Sequence, residues 1–295
     1  MDRLPAALTD APLSWNPLDD LHQLVTYPFM RNAFVAGTAA AVVAGVVGYF
    51  VVLRGLSFAG HSLSQMGFAG ATGGLALGVN PLYGLFVVNG IGALLIGLLA
   101  RRARGRDVVV GVVLTGSLGL GLLFLALGRA QAAVPVLVGD ILGISSGEVA
   151  VTEVAAALIL AMVVVGYRPL LLSSLDEELA EARGVPTTAT SLVLLLLLAA
   201  TTSIATPVVG VLLTFSLLVG PAATAALLVG RPAHTLGLSV VLGVLDIWTA
   251  LALSYWVDVP PSLIVTGLAV LQYLGARVLS SRPAGAGRSR RHGDA

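Results

Sequence analysis

A chain of 295 residues that is 57% hydrophobic and only 11% charged lies far from soluble globular composition, where about a quarter of residues carry charge. It is therefore a polytopic membrane protein. A net charge of +1 gives no bulk attraction to nucleic acid, and the absence of cysteine excludes disulfides, thiolate metal sites and cysteine catalysis.

Residues 1–26 form a polar N-terminal arm. Asp2, Asp10, Asp19 and Asp20 and several prolines leave no apolar core for a secretory signal. A bilayer span needs about 20 mostly apolar residues. Candidate spans follow at Phe34–Leu53, His61–Val79, Leu82–Leu99, Val108–Leu127, Val149–Tyr167, Leu192–Thr206, Val208–Val229, Thr235–Tyr255 and Leu263–Leu279. Val134–Ile144 is too short to cross and reads as a re-entrant or interfacial piece. Pro207 alone separates the sixth and seventh candidates, so the expectation is an all-α protein of eight or nine transmembrane helices. No strong internal repeat is visible.

Arg101, Arg102, Arg104 and Arg106 share one short loop, and Arg282, Arg288, Arg290 and Arg291 sit in a basic tail over 281–295. The positive-inside rule places both in the cytoplasm. Nine spans also bring Arg54, Arg168, Arg183 and Arg231 to that side, which favours nine with the N-terminus outside. The transmembrane domain is thus 27–280.

All sixteen basic residues are arginine. A Walker-type phosphate loop needs a lysine, so any ATP-driven work requires a partner to hydrolyse the nucleotide. No G-x-S-x-G elbow occurs, and His22, His61, His234 and His292 stand far apart. The chain reads as a non-enzyme.

The most informative stretch is LRGLSFAGHSLSQM, Leu53–Met66. His61 and Gln65 are four residues apart and stack on one helix face, with Thr72 further along that side. Polar groups at membrane depth suggest a transport path, with His61 a metal-competent imidazole; satisfaction by neighbouring helices stands as an equal reading. Gly70, Gly74 and Gly78 form overlapping G-x-x-x-G steps on roughly the opposite side, a pattern that lets helices approach closely. Asp246 lies inside the eighth span, where a carboxylate either lines a cavity or finds a partner. Asp140 and Glu148 flank the short segment, either at an entrance or simply solvated. Asp258 reads as a turn cap before the last span.

The loop within 170–188 carries a short helix. Ser173 or Ser174 is expected to cap it, Asp176, Glu177 and Glu178 occupy its first turn, and Gly184 and Pro186 stop it. From the residues alone, a passive surface helix and a docking element are equally open.

Six blocks, in order, resemble the permease subunits of bacterial ABC importers for zinc, manganese and iron. They are YPFMRNA (Tyr27–Ala33), the Gly45–Gly70 block, VGDILGIS (Val138–Ser145), SLDEELAEARGVP (Ser174–Pro186), the Val208–Leu228 block and SYWVDVPPS (Ser254–Ser262). Together they span about Tyr27 to Ala276. The resemblance implies an ABC importer permease fold in the bacterial plasma membrane. It implies a homodimer, two cytoplasmic ATPase subunits and an extracytoplasmic metal-binding protein, with no resident cofactor and a divalent metal ion as cargo. It makes the Ser174–Pro186 helix a coupling element that includes Asp176, Glu177, Glu178, Ala180 and Gly184, with Glu177, Glu178, Glu181 and Arg183 setting partner choice. One departure stands out. The family commonly has D-x-x-x-H in its second span; here His61 replaces the aspartate and Gln65 the histidine. Two rivals follow: an ABC permease for a metal chelate or organic cofactor, and a proton-coupled carrier using Asp246. An intramembrane enzyme ranks last, for want of a catalytic pair.

Overall fold

The computed structural model describes residues 28–100, 106–127, 137–257 and 259–280. The N-terminal arm with His22, the arginines at 101, 102 and 104, residues 134–136, Asp258 and the tail with His292 lie outside them. Ten α-helices and one 3-10 turn make up almost all of the described chain: α1 (Pro28–Leu53), α2 (Ser57–Leu77), α3 (Pro81–Leu99), α4 (Arg106–Leu127), the turn Ile141–Gly143, α5 (Ser146–Leu175), α6 (Glu177–Ala182), α7 (Thr187–Val209), α8 (Thr214–Leu228), α9 (Pro232–Val257) and α10 (Pro261–Ser280).

Seven of these, α1, α3, α4, α5, α7, α9 and α10, are long and apolar enough to cross a bilayer. Two more belong with them. The 21-residue α2 has the length, but serines, glycines, His61 and Gln65 dilute its apolarity. The 15-residue α8 rises only about 22 Å at about 1.5 Å per residue, short of a full hydrocarbon core. Among the described residues seven helices thus meet both criteria, and α2 and α8 occupy the positions of the two remaining candidate spans. In α1 and α7, 72% of the most apolar stretch is buried, against 17% in α4 and 22% in α5 and α10. So α1 and α7 form the centre, while α4, α5 and α10 present Val112, Leu122, Val165 and Leu271 outward, as lipid contact requires.

Inside the bundle, glycine sets the spacing between helices. A Cβ on Gly70 would stand 2.5 Å from the Gly84 carbonyl oxygen, and one on Gly84 would stand 2.0 Å from that of Gly70. Here α2 and α3 cross backbone against backbone, as helices do where packing rather than hydrophobicity drives association. Gly74 continues this contact, 3.0 Å from Pro81 Cα. Gly78 does not. Its would-be Cβ meets nothing within 4 Å, and with φ of 70° it ends α2, donating its N–H to the carbonyls of Gly74 and Leu75. The third glycine of the apparent packing run is thus a helix cap. Gly84→Ala is expected to destabilise the protein by about 1–3 kcal/mol, because neither backbone can yield. Gly90→Ala in the same helix meets open space and is expected to leave the melting temperature in detergent essentially unchanged.

The break between the sixth and seventh spans falls later than expected. The chain stays helical through Pro207 to Val209 and turns at Gly210, with φ 86° and ψ 156°, a conformation costly for any residue with a Cβ. The short segment before α5 accounts for this position. Asp140 N–H donates to the Pro207 carbonyl at 3.2 Å, and Leu212 N–H to the Leu137 carbonyl at 3.4 Å. A Cβ on Gly210 would come within 2.3 Å of the Val138 carbonyl carbon. Residues 137–144 are therefore a strap docked on a broken helix, and protein rather than lipid covers the freed backbone.

Candidate functional site

Between Ala59 and Gly74 every residue of α2 is buried except His61 and Gln65, which are half-exposed. The pair, one turn apart, is the sole opening on that stretch of helix. The His61 ring stands edge-on to Phe215 of α8, with centroids 5.3 Å apart. Neither His61 nor Gln65 makes a side-chain hydrogen bond among the described residues, so an imidazole nitrogen and an amide oxygen stay available as donors to a ligand. Thr72 shares the face by periodicity but not the opening. Its hydroxyl turns to the Phe68 carbonyl at 2.8 Å and the Gly121 carbonyl of α4 at 3.2 Å, and α4 covers that half of the helix.

Asp246 lies elsewhere. It is fully buried in α9, and its Oδ1 accepts a 2.7 Å hydrogen bond from Nε2 of Gln272 in α10. Among the described residues, neither Asp246 Oδ2 nor Gln272 Oε1 has a protein partner. His61 abuts α8 while Asp246 abuts α10, and among the described residues no hydrogen bond joins the two places. Among the described residues no three of His, Cys, Asp and Glu gather at metal-binding range. Removing one half of a buried polar pair leaves the other desolvated and unsatisfied. Gln272→Leu is therefore expected to cost about 1–3 kcal/mol or more, and adding Asp246→Leu to recover most of that loss, read as melting temperatures in detergent.

The two ends of the bundle differ. At one, Asn80 caps α3 and donates to Glu148 Oε1 at 3.1 Å, while Asn32 donates to the Ile144 carbonyl at 3.3 Å. An open cavity of about 150 Å³ lies there, lined by Ala71, Leu85, Asp140, Glu148, Thr206 and Pro207. Both carboxylates already act as caps. Asp140 accepts from Gly143 N–H at 3.0 Å, and Glu148 completes a capping box with Ser145 at the start of α5. At the other end sits the loop within 170–188, which carries α6. Its cap is Asp176, whose Oδ1 accepts from Leu179 N–H at 2.9 Å. Ser173 and Ser174 cannot cap α6, because α5 continues through Pro169 to Leu175 and includes them. Glu177, Glu178, Leu179, Glu181 and Arg183 all face solvent, and Ala180 alone of α6 is buried. Val185 N–H closes back on the Ala180 carbonyl at 2.9 Å, and Gly184, at φ 77°, makes the turn. Glu181 accepts from the Thr187 hydroxyl at 2.6 Å, tying α6 to α7.

The profile of the ABC 3 transport family matches residues 26–280. The chain belongs to the ABC 3 transport family. It is 30% identical over 241 residues to the manganese transport system membrane protein MntC of Halalkalibacterium halodurans, covering 80% of this chain and 82% of that one. It is 27% identical over 233 residues to the high-affinity zinc uptake system membrane protein ZnuB of Buchnera aphidicola, covering 78% and 89%. Among solved structures, PsaBC from Streptococcus pneumoniae in complex with Fab superposes with a TM-score of 0.80 at 26% identity, over 88% of this chain and 95% of that one.

As a member of the ABC 3 transport family the chain is a multi-pass membrane component of an ABC transporter, and its lack of lysine accords with an ATPase site carried elsewhere. The structure brings His61 and Gln65 together and gathers Asp176, Glu177, Glu178, Ala180 and Gly184 into one loop. It leaves Asp246 apart from both groups. It also adds residues not singled out from sequence. Asn89 of α3 is fully buried, and its amide donates to Thr202 at 3.2 Å and Ser203 at 3.1 Å of α7. A lone asparagine in the apolar run of α3, and the Thr-Thr-Ser triplet in that of α7, were the available signals. Arg54 is the other addition.

Proposed function

We propose that this chain is the permease of an ATP-driven importer for a divalent transition metal ion, manganese or zinc, in the bacterial plasma membrane. Two copies form the pathway. A cytoplasmic ATPase holds α6 of each copy, and an extracytoplasmic binding protein delivers the ion to the opposite end. The observation that carries this reading is the opening on α2: between Ala59 and Gly74 a stretch otherwise sealed by protein exposes only an imidazole and an amide, in a chain similar to membrane proteins named for manganese transport and zinc uptake.

The chemistry follows from those donors. A neutral imidazole suits zinc, and an amide oxygen is a weak hard ligand of the carbonyl kind that manganese takes. Without a carboxylate the pair holds a divalent cation loosely, which favours passage, since a transit site must release what it binds. The ion's identity is then set before it arrives, by the binding protein. Movement comes from alternating access: nucleotide binding draws the ATPases together, α6 follows, and the bundle opens to one side or the other. Asp246 enters this account as the polar joint between α9 and α10.

The test is uptake of manganese-54 or zinc-65 into liposomes holding the chain with its ATPase, the binding protein supplied outside. ATP-dependent accumulation supports the proposal. Accumulation driven by a proton gradient without ATP overturns it in favour of a secondary carrier.

A further inference from the structure

Arg54 stands at the corner between α1 and α2, three positions before α2 begins and seven before His61. Its Nε donates to Ser174 Oγ at 2.8 Å and its Nη1 to Ser191 Oγ at 2.9 Å, while Nη2 donates to Ser173 Oγ. Ser173 and Ser174 belong to the last turn of α5, and Ser191 to the start of α7. These are the two limbs from which α6 hangs. One guanidinium therefore joins both arms of the coupling loop to the foot of the helix that carries the open polar pair.

The acceptors are built for this. The Ser173 hydroxyl donates its single proton to the Pro169 carbonyl at 2.6 Å, and the Ser174 hydroxyl donates to the Leu170 carbonyl. Each serine oxygen thus presents lone pairs to the cation. Hydrogen bonds with one charged partner are stronger than neutral ones, and the planar fork of arginine reaches three acceptors at once where a lysine ammonium is a single point. At the corner beside it Gly55 turns at φ 64°, and Leu56, buried in the core, donates its N–H to the Val51 carbonyl at 2.8 Å, so the corner and the foot of α2 move as one piece.

We propose that Arg54 is a positioning residue that transmits displacement of the coupling loop to α2. When the loop moves, its two limbs carry the guanidinium, and the foot of α2 with His61 and Gln65 moves with it. The inference rests on the importer reading above, in which an ATPase drives α6. It assigns Arg54 no contact with the ion or the nucleotide.

The experiment measures ATP hydrolysis and metal uptake on the same liposomes, for the wild-type complex, Arg54→Ala, Arg54→Lys and Ser191→Ala. The expected result for Arg54→Ala is hydrolysis within about twofold of wild type and uptake lower by about tenfold or more. Arg54→Lys is expected to recover part of the uptake, and Ser191→Ala to lower the ratio of ions moved to ATP split by about twofold or more. Retained hydrolysis shows that the complex is assembled, so a merely structural role would not change the ratio. If Arg54→Ala reduces the yield of complex, Ser191→Ala carries the test. An unchanged ratio in both variants, or a proportional fall of hydrolysis and uptake that lysine does not relieve, overturns the proposal. A wild-type complex that moves no metal on ATP overturns the importer reading instead, and the two failures are told apart by the wild-type measurement.

Discussion

Metal uptake by the assembled transporter is expected to fall by about tenfold or more in His61→Ala and by a smaller factor in Gln65→Ala. The asymmetry comes from ligand chemistry: an imidazole nitrogen binds manganese or zinc more strongly than an amide oxygen does. Both positions are half-exposed on a helix buried on either side, so truncation to alanine removes donors without opening a packed core. Stability should be little changed, and a melting curve beside the uptake assay checks this. The double replacement His61→Asp with Gln65→His installs a carboxylate and an imidazole in the D-x-x-x-H pattern. It adds a negative charge at the opening and is expected to tighten equilibrium metal binding by about tenfold or more while slowing release. Normal uptake by both single alanine variants would remove α2 from the path.

The second large effect concerns α6. Glu177, Glu178 and Glu181 are exposed around Leu179, an apolar side chain 41% exposed to solvent. An exposed leucine ringed by like charges is a poor solvent face and a good docking face, since the apolar anchor supplies affinity and the charges fix register. Leu179→Arg combined with Glu178→Arg is expected to weaken association with the ATPase by about 100-fold or more, seen as loss of co-purification and of ATP-dependent uptake. Ala180 is a poorer probe. It is fully buried, and a larger residue there would deform the loop itself.

How far the sequence reached depended on whether the deciding contact was local. Long apolar runs announced the helices, because length against the bilayer decides them, and the observed elements begin and end within a few residues of expectation for most spans. The seventh began later than expected. Its start depends on Gly210, whose conformation is set by residues 137–140 docking from some 70 positions away. The fifth span was expected to end at Tyr167, but α5 absorbs Pro169 and runs on to Leu175, so that Asp176, not Ser173 or Ser174, caps α6. The His61–Gln65 face was legible because i, i+4 spacing is intrinsic to a helix. That Thr72 is covered, that Gly78 caps rather than packs, and that Asp246 pairs with Gln272 all depend on neighbours that periodicity does not reveal. Arg54 was read only as a topological charge, since its three serine acceptors lie about 120 to 137 positions along the chain.

The most direct test of the central claim is ATP-dependent metal uptake in liposomes containing this chain, with and without its ATPase partner. Accumulation of manganese or zinc is predicted only when the ATPase and hydrolysable ATP are both present, and it should disappear with an ATPase subunit unable to hydrolyse nucleotide. Metal accumulation by the chain alone, at a rate indifferent to ATP, would contradict the account.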